Sequence, residues 1–239
     1  PVSDEIFEVY RRLYAYDASP LNAELIKRED AEHWMRDEIE IDAAYGNERL
    51  TAFLYLPHDV EPPYQPIVYF PGAYAIFRRT NPSVAENHFA LFLLRSGYAV
   101  LFPVYKGTFE RGTDLAALAS DWQLETNSYR ELVIQWSKDL GRSLDYLETR
   151  SDITMDRLGY FGISWGSQIA PIMIAVEPRI KAAVLVVGGL LVTPTQPEVD
   201  PLNFLTRVTV PTRMVNLTAD YFFPLETSAL PFYELLGAK

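Results

Sequence analysis

A serine between two glycines is the residue of this sequence whose surroundings most clearly suggest chemistry. Residues 162–166 read GISWG, a G-x-S-x-G pattern that forms a strained turn between a strand and a helix and raises the serine above the sheet. An apolar stretch at 158–163 precedes the turn, and another from about 166 to 176 follows it. A serine that only caps a helix would also suit the pattern. The predicted strand and helix around it favour Ser164 as a nucleophile.

Acyl transfer by a serine also needs hydrogen-bond donors for the negatively charged oxygen of the tetrahedral intermediate. One usual donor is the backbone N–H of the residue after the nucleophile, here Trp165, and a second comes from a loop after an early strand. The predicted strand 67–70 is followed by Pro-Gly-Ala-Tyr. The N–H of Ala73, or that of Tyr74, is the candidate second donor, although Pro-Gly also marks ordinary turns.

An aspartate near the end of the chain is the candidate acid of a catalytic triad. The apolar stretch 212–217 predicts a strand, and Asp220 lies in the loop that follows it. Sites in parallel sheets form beyond the carboxyl ends of the strands. There a carboxylate can orient a histidine and stabilise its imidazolium form. An aspartate that simply belongs to a turn would have the same position, so the spacing leaves both interpretations open.

The histidine of such a triad has no obvious candidate. With this kind of serine turn, the triad runs serine, acid, histidine along the chain. However, His33, His58 and His88 all precede Ser164, and no histidine follows Asp220. We therefore expect the base to lie on polypeptide that these 239 residues do not include.

Two alternatives to that expectation stay open. An upstream histidine could be the base, although His88 is expected on the solvated side of a helix and His33 and His58 fall in peripheral segments. The other alternative is a fold that has lost catalysis and serves as a binding or regulatory module, since a fold alone does not fix function.

The spacing of apolar residues predicts the elements that must position these side chains. An amphipathic helix is predicted near the N-terminus, and alternating apolar residues at 39–41 and 50–56 predict an antiparallel hairpin around Tyr-Gly-Asn-Glu. After the hairpin, predicted helices separate continuous apolar runs, which are typical of strands buried on both faces: 67–70, 99–104, 158–163, 182–187 and 212–217. We predict an α/β fold with a mostly parallel twisted sheet, an N-terminal antiparallel hairpin and helices on both faces.

Several of these motifs together resemble a known group of enzymes. The serine turn, the helix end at 145–148, the segment 153–160 and the stretch 220–224 resemble the α/β-hydrolase superfamily. Within it, the dienelactone hydrolases, acetyl xylan esterases and prolyl oligopeptidase-like enzymes are most similar. The resemblance covers about residues 39–237 and implies that a final strand, a histidine loop and a closing helix would follow.

The resemblance also implies a division of the chain. Residues 1–37 are expected to form an N-terminal helical extension packed on the core, and residues 38–239 a hydrolase domain without its last strand and helix. Segments 45–49 and 103–108 are in addition similar to hydrolase domains attached to some bacterial serine/threonine kinases. This similarity raises the expectation of a further domain before Pro1.

The activity that the resemblance implies is hydrolysis of a small-molecule carboxylic ester through an acyl-enzyme on Ser164. The alternatives are a catalytically inactive hydrolase-fold domain that binds or regulates, and a serine peptidase or amidase of the prolyl oligopeptidase type. Two aromatic residues expected at the carboxyl ends of strands, Tyr105 and Phe222, are candidate substrate contacts, although core packing explains most such aromatic residues equally well. The proline-containing segment 190–206 lies where hydrolases place a lid, or is an ordinary surface connection.

The composition argues against other classes of partner. A formal net charge of −11 and a pI near 4.8 disfavour binding to nucleic acid or to an anionic membrane, because both need a basic surface. The chain has no cysteine, no recognised metal-ligand spacing and no phosphate-binding glycine loop. No apolar run reaches the roughly 18 residues of a membrane span. We expect no cofactor, no metal and a cytoplasmic location.

Overall fold

An eight-stranded sheet with helices on both faces organises the chain. The computed structural model describes residues 1–80, 88–112 and 124–238. The strands are β1 (Glu24–Asp30), β2 (Trp34–Asp42), β3 (Arg49–Pro57), β4 (Pro66–Phe70), β5 (Ala99–Pro103), β6 (Gly159–Ile163), β7 (Ala182–Val186) and β8 (Thr212–Val215). The helices of this part of the chain are α1 (Asp4–Arg11), α2 (Tyr74–Phe77), α3 (His88–Arg95), α4 (Asn127–Glu148), α5 (Trp165–Val176) and α6 (Leu230–Leu235).

The strand order is β1-β2-β3-β5-β4-β6-β7-β8. The first four strands in this order, β1, β2, β3 and β5, pair antiparallel with one another. From β5 onward, through β4, β6, β7 and β8, every pair is parallel. The mostly parallel sheet and the antiparallel hairpin, formed by β2 and β3, are thus confirmed. Because β3 runs against β5, the β2–β3 turn lies at the carboxyl edge of the parallel strands. The end of β3 lies at the opposite edge.

The N-terminal segment differs from the predicted helical extension. Helix α1 does form, and Phe7 and Tyr14 pack edge-on against Phe204 at centroid distances of 5.5 and 5.8 Å, so the segment packs on the core. However, residues 24–30 form β1, and the predicted boundary after residue 37 falls inside β2. Edge strand β1 is almost entirely exposed, so its sequence lacks the alternation that marks a half-buried strand.

Helix α4 follows the predicted periodicity. Its start is capped by Thr126, whose side chain accepts a hydrogen bond from the N–H of Tyr129 at 3.1 Å. Its apolar side chains at helical spacing are fully buried: Val133, Trp136, Leu140, Leu144 and Leu147. In the part of the chain that the structure describes, no helix is both long and apolar enough to cross a membrane.

The two faces of the sheet are covered differently around β6. On one face, the hydroxyl of Tyr160 donates to the carbonyl of Gly166 at 2.6 Å, so β6 packs directly on α5. On the other face, α3 borders an open, mainly apolar cavity of about 870 Å³. The strand residues that line this cavity include Phe161, Val184, Val186 and Val215. Among the described strands, β8 pairs only with β7 and ends the sheet.

Candidate active site

Ser164 lies in the turn that joins β6 to α5, where the sequence predicts it. Its backbone has φ 52° and ψ −108°, a conformation that a residue with a Cβ atom adopts only under strain. The N–H of Ser164 donates to the carbonyl of Val186 at 2.8 Å. Its side chain makes no capping hydrogen bond to α5. The hydroxyl of this half-buried serine therefore does not act as a helix cap.

The two glycines of the turn are required by close backbone packing. A Cβ atom on Gly162 would lie 2.5 Å from the carbonyl oxygen of Gly166, and a Cβ atom on Gly166 would clash with the carbonyl oxygen of Phe70. Real Cβ atoms essentially never make contacts this short. The G-x-S-x-G spacing thus reflects how tightly β4, β6 and the first turn of α5 pack.

The turn after β4 passes beside the serine. A Cβ atom on Gly72 would lie 3.6 Å from the Cβ atom of Ser164. The single-turn helix α2 begins at Tyr74, and the first hydrogen bonds of this turn are donated by the two residues after it. The amides of Ala73 and Tyr74 therefore precede those bonds, while the amide of Trp165 follows the serine directly. The structure brings all three candidate oxyanion donors to segments next to Ser164.

Asp220 lies in the loop after β8. The strand ends at Val215, two residues earlier than the sequence predicts. Its Oδ1 atom accepts hydrogen bonds from the N–H groups of Phe222 at 2.8 Å and Phe223 at 2.9 Å. Both bonds reach the same oxygen, so Oδ2 remains for another donor. The half-buried carboxylate therefore both shapes its turn and can orient a base.

Strand β7 links the loops of Ser164 and Asp220. The backbone of Ser164 is hydrogen-bonded to Val186 at the end of β7. The N–H of the next residue, Val187, donates to the carbonyl of Val215 at 2.8 Å. Val187 has φ 55°, a conformation that is rare for a β-branched residue. The serine turn, the strained Val187 and the Asp220 loop thus lie side by side at the carboxyl edge of β6, β7 and β8.

The two predicted substrate contacts differ in their exposure. Tyr105 is fully buried and stacks on Phe70 at a centroid distance of 4.0 Å, so the prediction that it lines an open pocket is wrong. Burial also raises the pKa of its phenol well above the ordinary value. The reason is that the loop after β5 folds back under α4, where the indole of Trp136 donates to the carbonyl of Lys106 at 2.8 Å. Phe222 is 74% exposed, so a substrate can reach it.

Two of the three histidines lie at the wrong edge of the sheet for catalysis. His58 follows the end of β3, and its N–H donates to the carbonyl of His33 at 3.1 Å. The ring of His58 contacts Asp30 at 3.1 Å. This is the edge opposite to Ser164, so neither histidine can be its base. His88 begins α3, and its side chain lies outside the described part of the chain.

Several carboxylates of the described residues are paired with arginines. Within residues 1–80, 88–112 and 124–238, no group of three or more histidine, aspartate or glutamate side chains could hold a metal ion. Buried Asp37 of β2, for example, forms ion pairs with Arg28 at 2.6 Å and with Arg150 at 3.3 Å.

A strained serine turn at the carboxyl edge of this sheet defines the fold as that of an α/β-hydrolase. Within that superfamily, the model of the dienelactone hydrolase family matches residues 50–228. The chain belongs to the dienelactone hydrolase family. The YtaP protein of Bacillus subtilis (strain 168) is 24% identical over 182 residues, which cover 70% of this chain and 58% of YtaP. The chain thus spans little more than half the length of this curated relative.

Solved structures support the same fold. The acetyl xylan esterase 1 of Thermoanaerobacterium sp. JW/SL YS485 has a TM-score of 0.74 at 14% identity, over 100% of this chain and 86% of that chain. The acetyl xylan esterase of Paenibacillus sp. R4 has a TM-score of 0.69 at 18% identity, over 98% of this chain and 84% of that chain. A cold-adapted esterase from an Arctic intertidal metagenomic library has a TM-score of 0.64 at 17% identity, over 92% of this chain and 86% of that chain. At these identities the likeness establishes the fold.

Proposed function

We propose that this protein is a serine hydrolase that cleaves carboxylic esters of small molecules. The observation that carries the proposal is the conformation of Ser164, which has φ 52° in a strand-to-helix turn and makes no capping bond. Such strain persists only where the surrounding structure enforces it, and it is concentrated at functional sites. Membership of the dienelactone hydrolase family and the esterase structural neighbours support hydrolytic chemistry on this scaffold.

The first half of the proposed reaction forms an acyl-enzyme. The Oγ atom of Ser164 attacks the ester carbonyl carbon while its proton passes to a base. The negative charge that develops on the carbonyl oxygen is stabilised by the N–H groups of Trp165 and of Ala73 or Tyr74, each worth about 2.7–4 kcal/mol in comparable sites. The base then gives its proton to the departing alcohol as the bond between carbon and oxygen breaks.

The second half regenerates the serine. A water molecule attacks the acyl carbon, the base accepts one of its protons, and the carboxylic acid departs as the proton returns to Ser164. Asp220 would orient the base in both halves through Oδ2, because its Oδ1 atom is held by two backbone amides. Exposed Phe222 in the same loop would contact the substrate.

The proposed base is a histidine on polypeptide outside these 239 residues. His33 and His58 lie at the opposite edge of the sheet, which leaves neither of them as a candidate. Strand β8 has one unpaired side among the described strands, and the apolar cavity of about 870 Å³ adjoins it. A further strand would pair with the free edge of β8, and a helix after it would cover the cavity. The loop between that strand and that helix would reach Asp220.

The decisive experiment is labelling of the full-length protein with a fluorophosphonate, followed by intact mass measurement and peptide mapping. We expect one adduct, on Ser164, in the wild type and in a Ser151→Ala control, which removes an exposed serine from the turn after α4. Ser164→Ala should take up no probe and should not hydrolyse p-nitrophenyl acetate.

Two outcomes would overturn the proposal. Labelling that persists in Ser164→Ala would place the nucleophile elsewhere. A full-length wild-type protein that neither labels nor hydrolyses the ester would favour a binding or regulatory domain. Comparison of p-nitrophenyl acetate with a p-nitroanilide tests the substrate class, since faster cleavage of the anilide would favour a peptidase or amidase.

A further inference from the structure

A buried carboxylate joins three segments near the carboxyl edge of the sheet. Asp139 of α4 has no exposed surface. Its carboxylate accepts hydrogen bonds from the hydroxyl of Tyr45 at 2.8 Å, from the N–H of Lys106 at 2.8 Å and from the guanidinium of Arg111 at 2.7 Å. Burial raises the pKa of Asp139, and Arg111 opposes that effect. A buried charge with three donors is compensated for its lost hydration and is held in one geometry.

These bonds fix the segment of residues 104–112, called here the β5 loop. Arg111 near its end donates to the carbonyl of Val104 at its start, at 2.8 Å. The ammonium group of Lys106 contacts Glu48 of the β2–β3 turn at 2.6 Å. The β5 loop is therefore closed on itself and tied to the neighbouring turn, with Asp139 at the centre of the bonds.

The β5 loop in turn contacts the segment that carries the candidate oxyanion donors. Phe109 is fully buried with φ 43°, and its ring lies 6.0 Å from that of Tyr74. The Tyr74 ring also lies 3.3 Å from where a Cβ atom on Gly72 would be. The guanidinium of Arg79 donates to the carbonyl of Gly112. The turn after β4 is thus in contact with the β5 loop through Tyr74 and Arg79.

Helix α4 reaches the other oxyanion donor through a second contact. Trp136, one helical turn before Asp139, donates from its indole to the carbonyl of Lys106 at 2.8 Å. Its ring also packs edge-on against that of Trp165 at a centroid distance of 4.7 Å. The β5 loop and the residue after the nucleophile therefore share one support on α4.

We infer that Asp139 is a positioning residue for the oxyanion donors. It has no contact with Ser164, and it acts by holding the β5 loop, so that Phe109 keeps Tyr74 and the preceding amide of Ala73 beside the serine. Loss of one bond partner would let the loop relax and would shift these donors away from the developing charge. The inference rests on the proposed function, because the donors matter only if Ser164 forms a tetrahedral intermediate.

The test is Asp139→Asn in the full-length protein. This variant keeps the side-chain shape but replaces one carboxylate oxygen with an amide group, which removes one acceptor and the negative charge that pairs with Arg111. We expect kcat for p-nitrophenyl acetate to fall about 10- to 100-fold, the effect of a small displacement of catalytic groups. Because the donors act mainly in the transition state, kcat/KM should fall equally while KM changes less than about threefold.

Asp37→Asn is the matched control. Asp37 is also a buried aspartate paired with arginines, but it lies in the middle of β2 and contacts Arg28 and Arg150. It should lower the melting temperature without changing kcat. Tyr45→Phe removes one of the three donors to Asp139 and also the bond that the Tyr45 hydroxyl accepts from Arg111 at 2.8 Å. It leaves the buried ion pair of Asp139 and Arg111 in place, so it should fold and lower kcat about three- to tenfold. It decides the question if Asp139→Asn does not fold.

The outcomes separate the two proposals. If the wild type neither labels with fluorophosphonate nor cleaves the ester, the proposed function fails first. If the wild type is active and Tyr45→Phe and Asp139→Asn lose stability but keep wild-type kcat, as Asp37→Asn should, Asp139 is merely structural and the inference is overturned. A selective loss of kcat with fluorophosphonate labelling of Ser164 slowed in parallel supports it.

Discussion

The strain at Ser164 predicts an inversion of the usual stability order of alanine and glycine. At an ordinary position, a protein with glycine is less stable than the same protein with alanine by roughly 0.5–1 kcal/mol, because glycine loses more conformational freedom on folding. At φ 52° and ψ −108°, a Cβ atom costs on the order of 1–3 kcal/mol, and glycine avoids this cost. Ser164→Gly should therefore be more stable than Ser164→Ala by about 1–2 kcal/mol. For a chain of this length, that difference corresponds to about 2–8 °C in melting temperature.

The assay compares the free energies of unfolding of the two variants by urea denaturation. Both lack the nucleophile, so differences in turnover cannot affect the result. Lys138→Ala and Lys138→Gly, in the middle of α4, are the control pair, and there alanine should be the more stable by about 1 kcal/mol. If Ser164→Gly proves less stable than Ser164→Ala by a similar amount, the backbone at Ser164 is not strained and the argument for an enforced nucleophile turn fails.

Three further predictions follow from the same geometry. Gly166→Ala places a Cβ atom against the carbonyl of Phe70, so it should lose about 1–3 kcal/mol of stability in urea melts and most of kcat, whereas unchanged activity would contradict the packing argument. Asp220→Asn should lower kcat by about 10⁴-fold without unfolding the chain, as measured by ester turnover and circular dichroism, if the carboxylate orients the base. Burial raises the pKa of Asp200, so the stability contributed by its protonated form is lost as pH rises through that pKa. Asp200→Asn should therefore gain stability relative to the wild type between pH 4 and pH 7 in urea melts, and a constant difference would show that Asp200 does not titrate there.

The elements that could be predicted from the sequence are those whose cause is local. The serine turn is set by two glycines between an apolar strand and an apolar helix, and steric exclusion of a Cβ atom acts at the same place in the structure. The buried stripe of α4 and the β2–β3 hairpin follow from helical spacing and from alternation, which depend only on near neighbours along the chain. These are the features that the structure reproduces with small changes of boundary.

Contacts between elements that are distant in the sequence could not be predicted, because they depend on how the chain packs in three dimensions. Strand β1 was not predictable because an exposed edge strand has no buried face to impose a pattern, and Tyr105 is buried because α4 covers the loop after its strand. The likeness noted for segments 45–49 and 103–108 gave no hint that Asp139 would join them, since the bonds span up to 94 residues of sequence. The direction of β3 places His33 and His58 away from Ser164, and strand direction is fixed by pairing across the sheet, which no local pattern encodes.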